Sequence, residues 1–336
     1  MSTIRDVAKL AGVSVSTVSI IINGREKERG IPASTCERVR KAIRDLNYHP
    51  SIAARKLRNV SSGHVTIALF CPFISNALLI GRMLGGIEPQ FKGICNVMLC
   101  LYDYDKLAFE QKLHRNDLFD AAIIISPSKN DIEYLQHTEF NFPIVIIYGK
   151  VDGYSSIFID NDGIIDTVLK LAHLNGHSRL GMITGDIIFH GMEARANRLI
   201  ELCASGDIIL EEKFTLRTPP TIRGGYKACC QYLSMEDFPR LLFCSSDLIA
   251  LGAVKAVAET GLHIPEDIQM VAIGYLDSSY TEFSNPSISV FQLPHEDIAA
   301  QAVKTLLDMM NNREQTPQHI LHNVSFLERD SFKVNK

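Results

Sequence analysis

A chain of 336 residues leaves room for two or more domains at roughly 100–200 residues each, and a composition that is 46% hydrophobic and 21% charged excludes a disordered or low-complexity protein. No apolar run approaches the ~20 residues that cross a bilayer, and Met1 to Lys9 is polar rather than a signal-peptide core, so a cytoplasmic protein is expected. The net charge of −4 hides a division: residues 1–60 hold twelve Lys and Arg against five acids, giving +7, while the rest holds 22 against 33, giving −11. A basic head on an acidic body suits a polyanionic partner, because Lys and Arg displace counterions from phosphates; a merely solvated charged surface is the alternative.

In chain order, residues 1–50 read as short helices. Thr3 followed by Asp6 resembles a capping box, and Ile4, Val7, Ala8 and Leu10 supply an apolar stripe for a first helix that Gly12 ends. Ser14 is placed to cap a second helix, Val15 to Asn23, with Val18, Ile21 and Ile22 on its buried side and Gly24 as its terminator. Two helices joined by a short Gly-containing turn make a helix-turn-helix. A charged loop from Gly24 to Gly30 leads to Pro32 at the start of a third helix, whose stripe is Val39, Ala42, Ile43 and Leu46. Ser51 to Arg58 has helical composition but is too short to hold a helix alone in water, and needs a partner to order it.

From Val65 the texture changes. Compact apolar runs at 65–70, 97–101, 121–126, 144–148, 180–184, 241–244 and 271–274 alternate with helix-like stretches. Continuous rather than alternating apolar strands indicate parallel sheets covered on both faces, so an α/β, doubly wound body of two lobes is expected. The domain reading is 1–50 for the helical head, 51–62 for a hinge helix and linker, and 63–336 for the body.

Enzyme signatures do not emerge. The chain contains no G-x-G-x-x-G, P-loop, G-x-S-x-G or H-E-x-x-H pattern. The eight cysteines show no C-x-x-C and no zinc spacing, and read as small buried hydrophobes. His173 and His177 have metal-compatible spacing, but Gly176 puts the second beyond the helix end. No catalytic residue, cofactor or metal is therefore expected.

Residues 3–23, TIRDVAKLAGVSVSTVSIIIN, with RKAIRDLNYHPSIAARKLR at 40–58, resemble the head of the LacI/GalR family of bacterial transcription regulators. The body is similar too: IALFCPFISN at 67–76, FIDNDG at 158–163, HLNGHSRLGMITG at 173–185, SSDLIALGAVKAV at 245–257, GLHIPEDI at 261–268 and FLERDSF near the end. The resemblance implies a homodimeric repressor of genes in the bacterial nucleoid. Two helix-turn-helix heads would read a palindromic operator in double-stranded DNA, and two periplasmic-binding-protein-like lobes would take a small, sugar-like effector in their cleft.

Carried onto this chain, the resemblance puts operator choice on Val15 and Ser16 at the start of the second helix, where one meets a thymine methyl and the other a base edge. Thr17, Ser19 and Asn23 match phosphate-contacting or helix-orienting positions, and Thr3 joins the DNA-facing set. Ile20 stands where many relatives have a polar residue, so one base contact should be missing. Arg25, in a loop longer than usual, adds a phosphate contact. Leu57 matches a wedge leucine entering the minor groove, Ala54 the small residue that lets two hinge helices approach, and Arg55 and Arg58 their basic flanks.

For the effector, Arg195 matches the arginine that clamps a ligand oxygen, and Asn76, Ser246 and Asp247 match cleft positions. Leu276 falls where a sugar-binding Asp is expected, with Asp277 beside it, which points to a less hydroxylated effector or to none. Absence of leucine heptads at the end suggests dimers rather than tetramers. Two alternatives stay open: an activator or effector-independent regulator of the same fold, and a small-molecule-binding or enzymatic α/β protein whose basic head is incidental.

Overall fold

The structure, a computed structural model, describes residues 3–22, 26, 29–46, 65–73, 77–90, 95–115, 118–186, 190–311 and 316–335. The chain divides into two units, Met1–Thr66 with Gln111–Asp120, and Ile67–Glu110 with Ala121–Lys336.

The first unit carries three helices, α1 (Ile4–Ala11), α2 (Val15–Ile22) and α3 (Ala33–Asp45). The capping box forms: the Thr3 hydroxyl accepts from the Asp6 N–H, and the Asp6 carboxylate accepts from the Thr3 N–H at 2.7 Å. These bonds hold the Asp6 carboxyl below its usual range. Helix α1 stops at Gly12, whose φ of 63° is left-handed and strained for any residue with a Cβ. Ser14 Oγ then accepts from the Thr17 N–H at 3.1 Å and starts α2. The three helices close on Val7, Ala8, Ala11, Val18, Ile21, Cys36, Val39 and Ala42, with Ile22, Ile43 and Leu46 packed at the margin. Cys36 was not part of the expected stripe and adds its thiol to that core.

The second unit is built on two sheets. The first sheet holds β1 (Val65–Pro72), β2 (Cys95–Tyr102), β3 (Ala121–Ile125), β4 (Ile144–Ile147) and β5 (Ser155–Ile159); the second holds β6 (Gly181–Gly185), β7 (Thr215–Thr218), β8 (Leu241–Cys244), β9 (Gln269–Gly274) and β10 (Ser289–Gln292). Strand β11 (His319–His322) returns to the first sheet and β12 (Ser325–Leu327) to the second. The orders are β11-β5-β4-β3-β1-β2 and β12-β10-β9-β8-β6-β7. From β11 through β5, β4 and β3 to β1, and from β10 through β9, β8 and β6 to β7, pairing is parallel, as in Ile67↔Ala121 and Phe243↔Val271, while β12 runs antiparallel to β10. Every apolar run anticipated from sequence is a strand. Strands β5, β7, β10 and β11 were not anticipated, being short and rich in Ser, Thr and His, while β12 overlaps the strand-like FLERDSF stretch.

The connecting helices are α4 (Ala77–Ile87), α5 (Lys129–Gln136), α6 (Asn161–Leu174), α7 (His190–Ser205), α8 (Ile222–Leu233), α9 (Asp247–Thr260), α10 (Ser279–Glu282) and α11 (His295–Asn311). The chain passes between the sheets after β5, after β10 and after β11. Helix α11 follows the second sheet in sequence yet packs on α4 and on β3 to β5. That contact is close because Gly86 has no side chain: a Cβ there would lie 2.1 Å from the Glu296 carbonyl oxygen.

Candidate functional site

In the head, α2 turns Val18 and Ile21 inward and leaves Val15 42% exposed at its first turn, with Ser16 exposed beside it. At 100° per residue, Ser16 and Ile20 share the face opposite Val18, and Ser19 flanks it. Thr17 is half-buried, and its N–H and hydroxyl both bond Ser14, so it orients the helix start. Thr3 is exposed but its hydroxyl is engaged with Asp6. Arg40 pairs with Glu26 at 2.6 Å, which neutralises one of the head's cations. Asn23, Arg25, Ala54, Arg55, Leu57 and Arg58 lie outside the described residues.

In the second unit a cavity of about 460 Å³, counting the solvent at its mouth, opens where strands end and helices begin. Leu79 of α4, Ser126 after β3, Tyr148 after β4, and Phe158 and Ile159 of β5 form one side. Asn161, Gly191, Met192, Arg195, Tyr275, Leu293 and His295 complete it. Carboxyl ends of parallel strands are where open α/β sheets bind ligands, because neighbouring connections diverge there and leave a crevice. Two wall residues, Ser126 (φ 48°) and Tyr148 (φ 61°), hold left-handed backbone, at a cost of about 1–3 kcal/mol each that the surrounding packing must meet.

Arg195 is 2% exposed. Its guanidinium donates to Asn161 Oδ1 at 2.5 Å and to the Tyr275 hydroxyl, and its carbon lies 5.8 Å from the Tyr275 ring centroid. His295, also buried, receives the Tyr148 hydroxyl at Nδ1 and stacks on Tyr275 with centroids 5.9 Å apart. Burial, then Arg82 and Arg195, push the His295 pKa well below the usual value, so the ring is neutral at pH 7. Burial raises both Tyr148 and Tyr275, which stay protonated. Arg195 Nε and His295 Nε2 are buried without a hydrogen-bond partner among the described residues.

Of the residues expected at the effector site, Arg195 is on the cavity wall and Asn76 lies outside the described residues. Ser246, Asp247, Leu276 and Asp277 are not among the residues that line the cavity, and each is bonded elsewhere. Ser246 caps α9 by accepting from the Ile249 N–H. Asp247 is buried and accepts from the Leu276 N–H at 2.6 Å and its neighbour's at 2.9 Å; burial still pushes its carboxyl up to about 6. The Leu276 side chain is buried, and its carbonyl accepts from Arg82 and Gln292. Asp277 is exposed and accepts from Ser279.

The residue of that stretch facing the cavity is Tyr275. Ser126, Tyr148, Asn161 and His295 are the other polar wall groups that sequence reasoning passed over; of these, Asn161 lies inside the FIDNDG motif and His295 directly after Pro294. Asn161 and His295 open helices shortly after strand ends, a position that could have marked them. His177, expected beyond the α6 end, is there, with Nε2 2.8 Å from Gln269 Oε1.

Residues 3–51 match the family described as bacterial regulatory proteins, lacI family, and residues 170–332 match a periplasmic binding protein-like domain. The HTH-type transcriptional repressor PurR of Aliivibrio salmonicida is 30% identical over 331 residues, covering 93% of each chain. The crystal structure of a LacI family transcription regulator from Clostridium acetobutylicum superposes with a TM-score of 0.74 at 29% identity, covering 79% of this chain and 99% of that one. A complex of the transcriptional regulator CelR with cellobiose shares the fold, with a TM-score of 0.66 at 22% identity over 98% of this chain and 100% of that one. Among the described residues no helix is long and apolar enough to cross a membrane. The chain belongs to the lacI family of bacterial regulatory proteins, and it is a DNA-binding transcription regulator rather than an enzyme.

Proposed function

We propose that the protein is a homodimeric repressor that reads a palindromic operator in the cytoplasm and exchanges affinity for that operator with occupancy of the cavity around Arg195. The observation that carries the operator reading is the first turn of α2, where Val15 and Ser16 are exposed while Val18 and Ile21 anchor the helix in the head core. A helix presented by its first turn suits the major groove, where base edges are distinguishable.

Dimerisation is supported by apolar surface on the second unit. Strand β2, at a sheet edge, exposes Val97, Leu99 and Leu101, and Phe73 and Phe283 are 70% and 82% exposed. An apolar sheet edge of that kind needs a cover in water. Hinge contacts through Ala54, Arg55, Leu57 and Arg58 rest on the family resemblance. The effector acts only through its different affinity for the two states of the protein.

The test is selection of bound duplexes from a random pool by the full chain. Enrichment of a two-fold symmetric sequence is expected, with Ser16→Ala relaxing preference at symmetric positions. Equal retention of all duplexes would refute the reading.

A further inference from the structure

The cavity's charge is unbalanced. Arg195 is deeply buried, and among the described residues it forms no ion pair. Its two partners, the Asn161 amide oxygen and the Tyr275 hydroxyl, are neutral, and they use two of five N–H donors. Arg82, the other nearby cation, is neutralised by a two-pronged pair with Glu296, at 2.6 and 2.5 Å. Among the described residues no carboxylate lines the cavity. A buried guanidinium without a counter-ion is costly, and the cost is relieved when an anion arrives.

The backbone adds the same sign. Helices α6, α7 and α11, of 14, 16 and 17 residues, all begin at the wall: Asn161 opens α6, Gly191 and Met192 lie in the first turn of α7, and His295 opens α11. Helix starts carry unpaired N–H groups and a partial positive charge. In the tautomer in which the Tyr148 phenol donates to His295 Nδ1, the ring proton lies on Nε2, which has no partner among the described residues. The wall is thus supplied with donors. Among the described residues its only side-chain amide oxygen, on Asn161, is already taken by Arg195. A polyol, whose hydroxyls each bring a proton to be accepted, is poorly matched to such a wall.

We propose that the effector is a small organic monoanion whose carboxylate is held by Arg195 and whose body packs on Leu79, Phe158, Met192 and Leu293. This deepens, and rests on, the reading of the cavity as the effector site. One uncompensated guanidinium matches one negative charge, which favours a carboxylate over a doubly charged phosphate ester. An Arg fork binds a carboxylate through parallel bonds that are stronger than neutral ones.

The test uses the full-length chain and compounds paired to differ in charge at constant shape: glucuronate with glucose, benzoate with benzamide, phenylacetate with phenylacetamide, and glucose 6-phosphate as the dianion. Binding is read by thermal shift and calorimetry. At least one acid is expected to bind ~10-fold or more tightly than its neutral partner, the factor set by replacing a charge-assisted pair with a neutral one. Arg195→Met should erase that preference, and Arg195→Lys, which keeps the charge and loses the fork, should reduce it.

If no acid outperforms its neutral partner, if the phosphate ester binds best, or if the preference survives in Arg195→Met, the inference is overturned. Gly191→Phe separates this failure from failure of the cavity reading. Gly191 lines the cavity, and a Cβ there would make ordinary 3.5 Å contacts with Arg195 Nη1 and Asn161 Oδ1, so a bulky side chain at this position competes with a ligand for the space beside Arg195. A neutral compound blocked by Gly191→Phe would leave the cavity reading intact and refute only the charge. An acid that ignores both variants binds elsewhere and refutes both.

Discussion

Arg82→Met removes the residue that ties α4 to the segments on the far side of the cavity. Its side chain is 13% exposed and makes two bonds to the Glu296 carboxylate. It also donates to the carbonyls of Tyr275 at 3.0 Å, Leu276 at 2.9 Å and Leu293 at 3.2 Å. Breaking a fully buried pair costs about 3–5 kcal/mol, because the remaining charge is stranded. Here Glu296 is 42% exposed and recovers water, and the Leu276 carbonyl keeps its bond from Gln292 at 2.9 Å, so the cost falls to about 2–3 kcal/mol.

At about 2–4 °C per kcal/mol for a protein of this size, the melting temperature of full-length protein should drop by about 4–12 °C in differential scanning fluorimetry. Glu296→Gln should cost less, since Arg82 retains three carbonyls. The double variant should cost less than the sum of the singles, as expected for groups that bond each other. A shift under 1 °C for Arg82→Met, or strict additivity, would refute the account of Arg82 as the tie across the cavity.

Asp247, whose folded pKa is raised by burial from 3.8 to about 6, ionises at a higher pH in the folded chain than in the unfolded one. The unfolded chain therefore releases this proton first, and the group's contribution to stability falls as pH rises from about 4 to about 6. Asp247→Asn should flatten that part of the stability-against-pH curve by about 3 kcal/mol relative to the native chain in urea titrations; parallel curves would contradict it. Thr3→Ala should destabilise the head by about 1 kcal/mol through loss of the cap while leaving base preference unchanged. Ser16→Ala should do the reverse, and quantitative footprinting on the selected duplex distinguishes them. Leu57→Ala should weaken operator binding in a gel shift by at least tenfold if the side chain wedges a base step at a few kcal/mol, and unchanged affinity would remove the wedge.

The head was legible almost residue by residue. Its signals are local: Thr3 and Asp6 are three residues apart, Gly12 needs a left-handed backbone, and Val18 and Ile21 follow helical spacing. Seven of the strands were equally plain: six because a strand covered on both faces must be apolar throughout, and β2 because it is apolar even on the face that carries the exposed Val97, Leu99 and Leu101. The strands that escaped notice are brief or half-exposed, such as Thr215–Thr218 and His319–His322, and become strands only because a neighbour offers its hydrogen bonds.

The cavity was legible at one position only. Of the residues singled out for an effector, Arg195 lines the cavity, whereas Ser246, Asp247, Leu276 and Asp277 do not and are bonded within the fold. A one-residue choice within GYLD, between Leu276 and Tyr275, depends on which side of the chain faces the crevice after β9, and spacing alone does not encode that.

Periodicity, caps and composition by themselves determined a basic three-helix head and a doubly wound α/β body, since each follows from contacts between residues close in the chain or from which faces must avoid water. Only the tertiary structure decided that Asn161, Arg195, Tyr275 and His295 surround one cavity. They arrive from four separate connections, and long-range packing, not local spacing, brings a guanidinium into a place where no carboxylate among the described residues balances it.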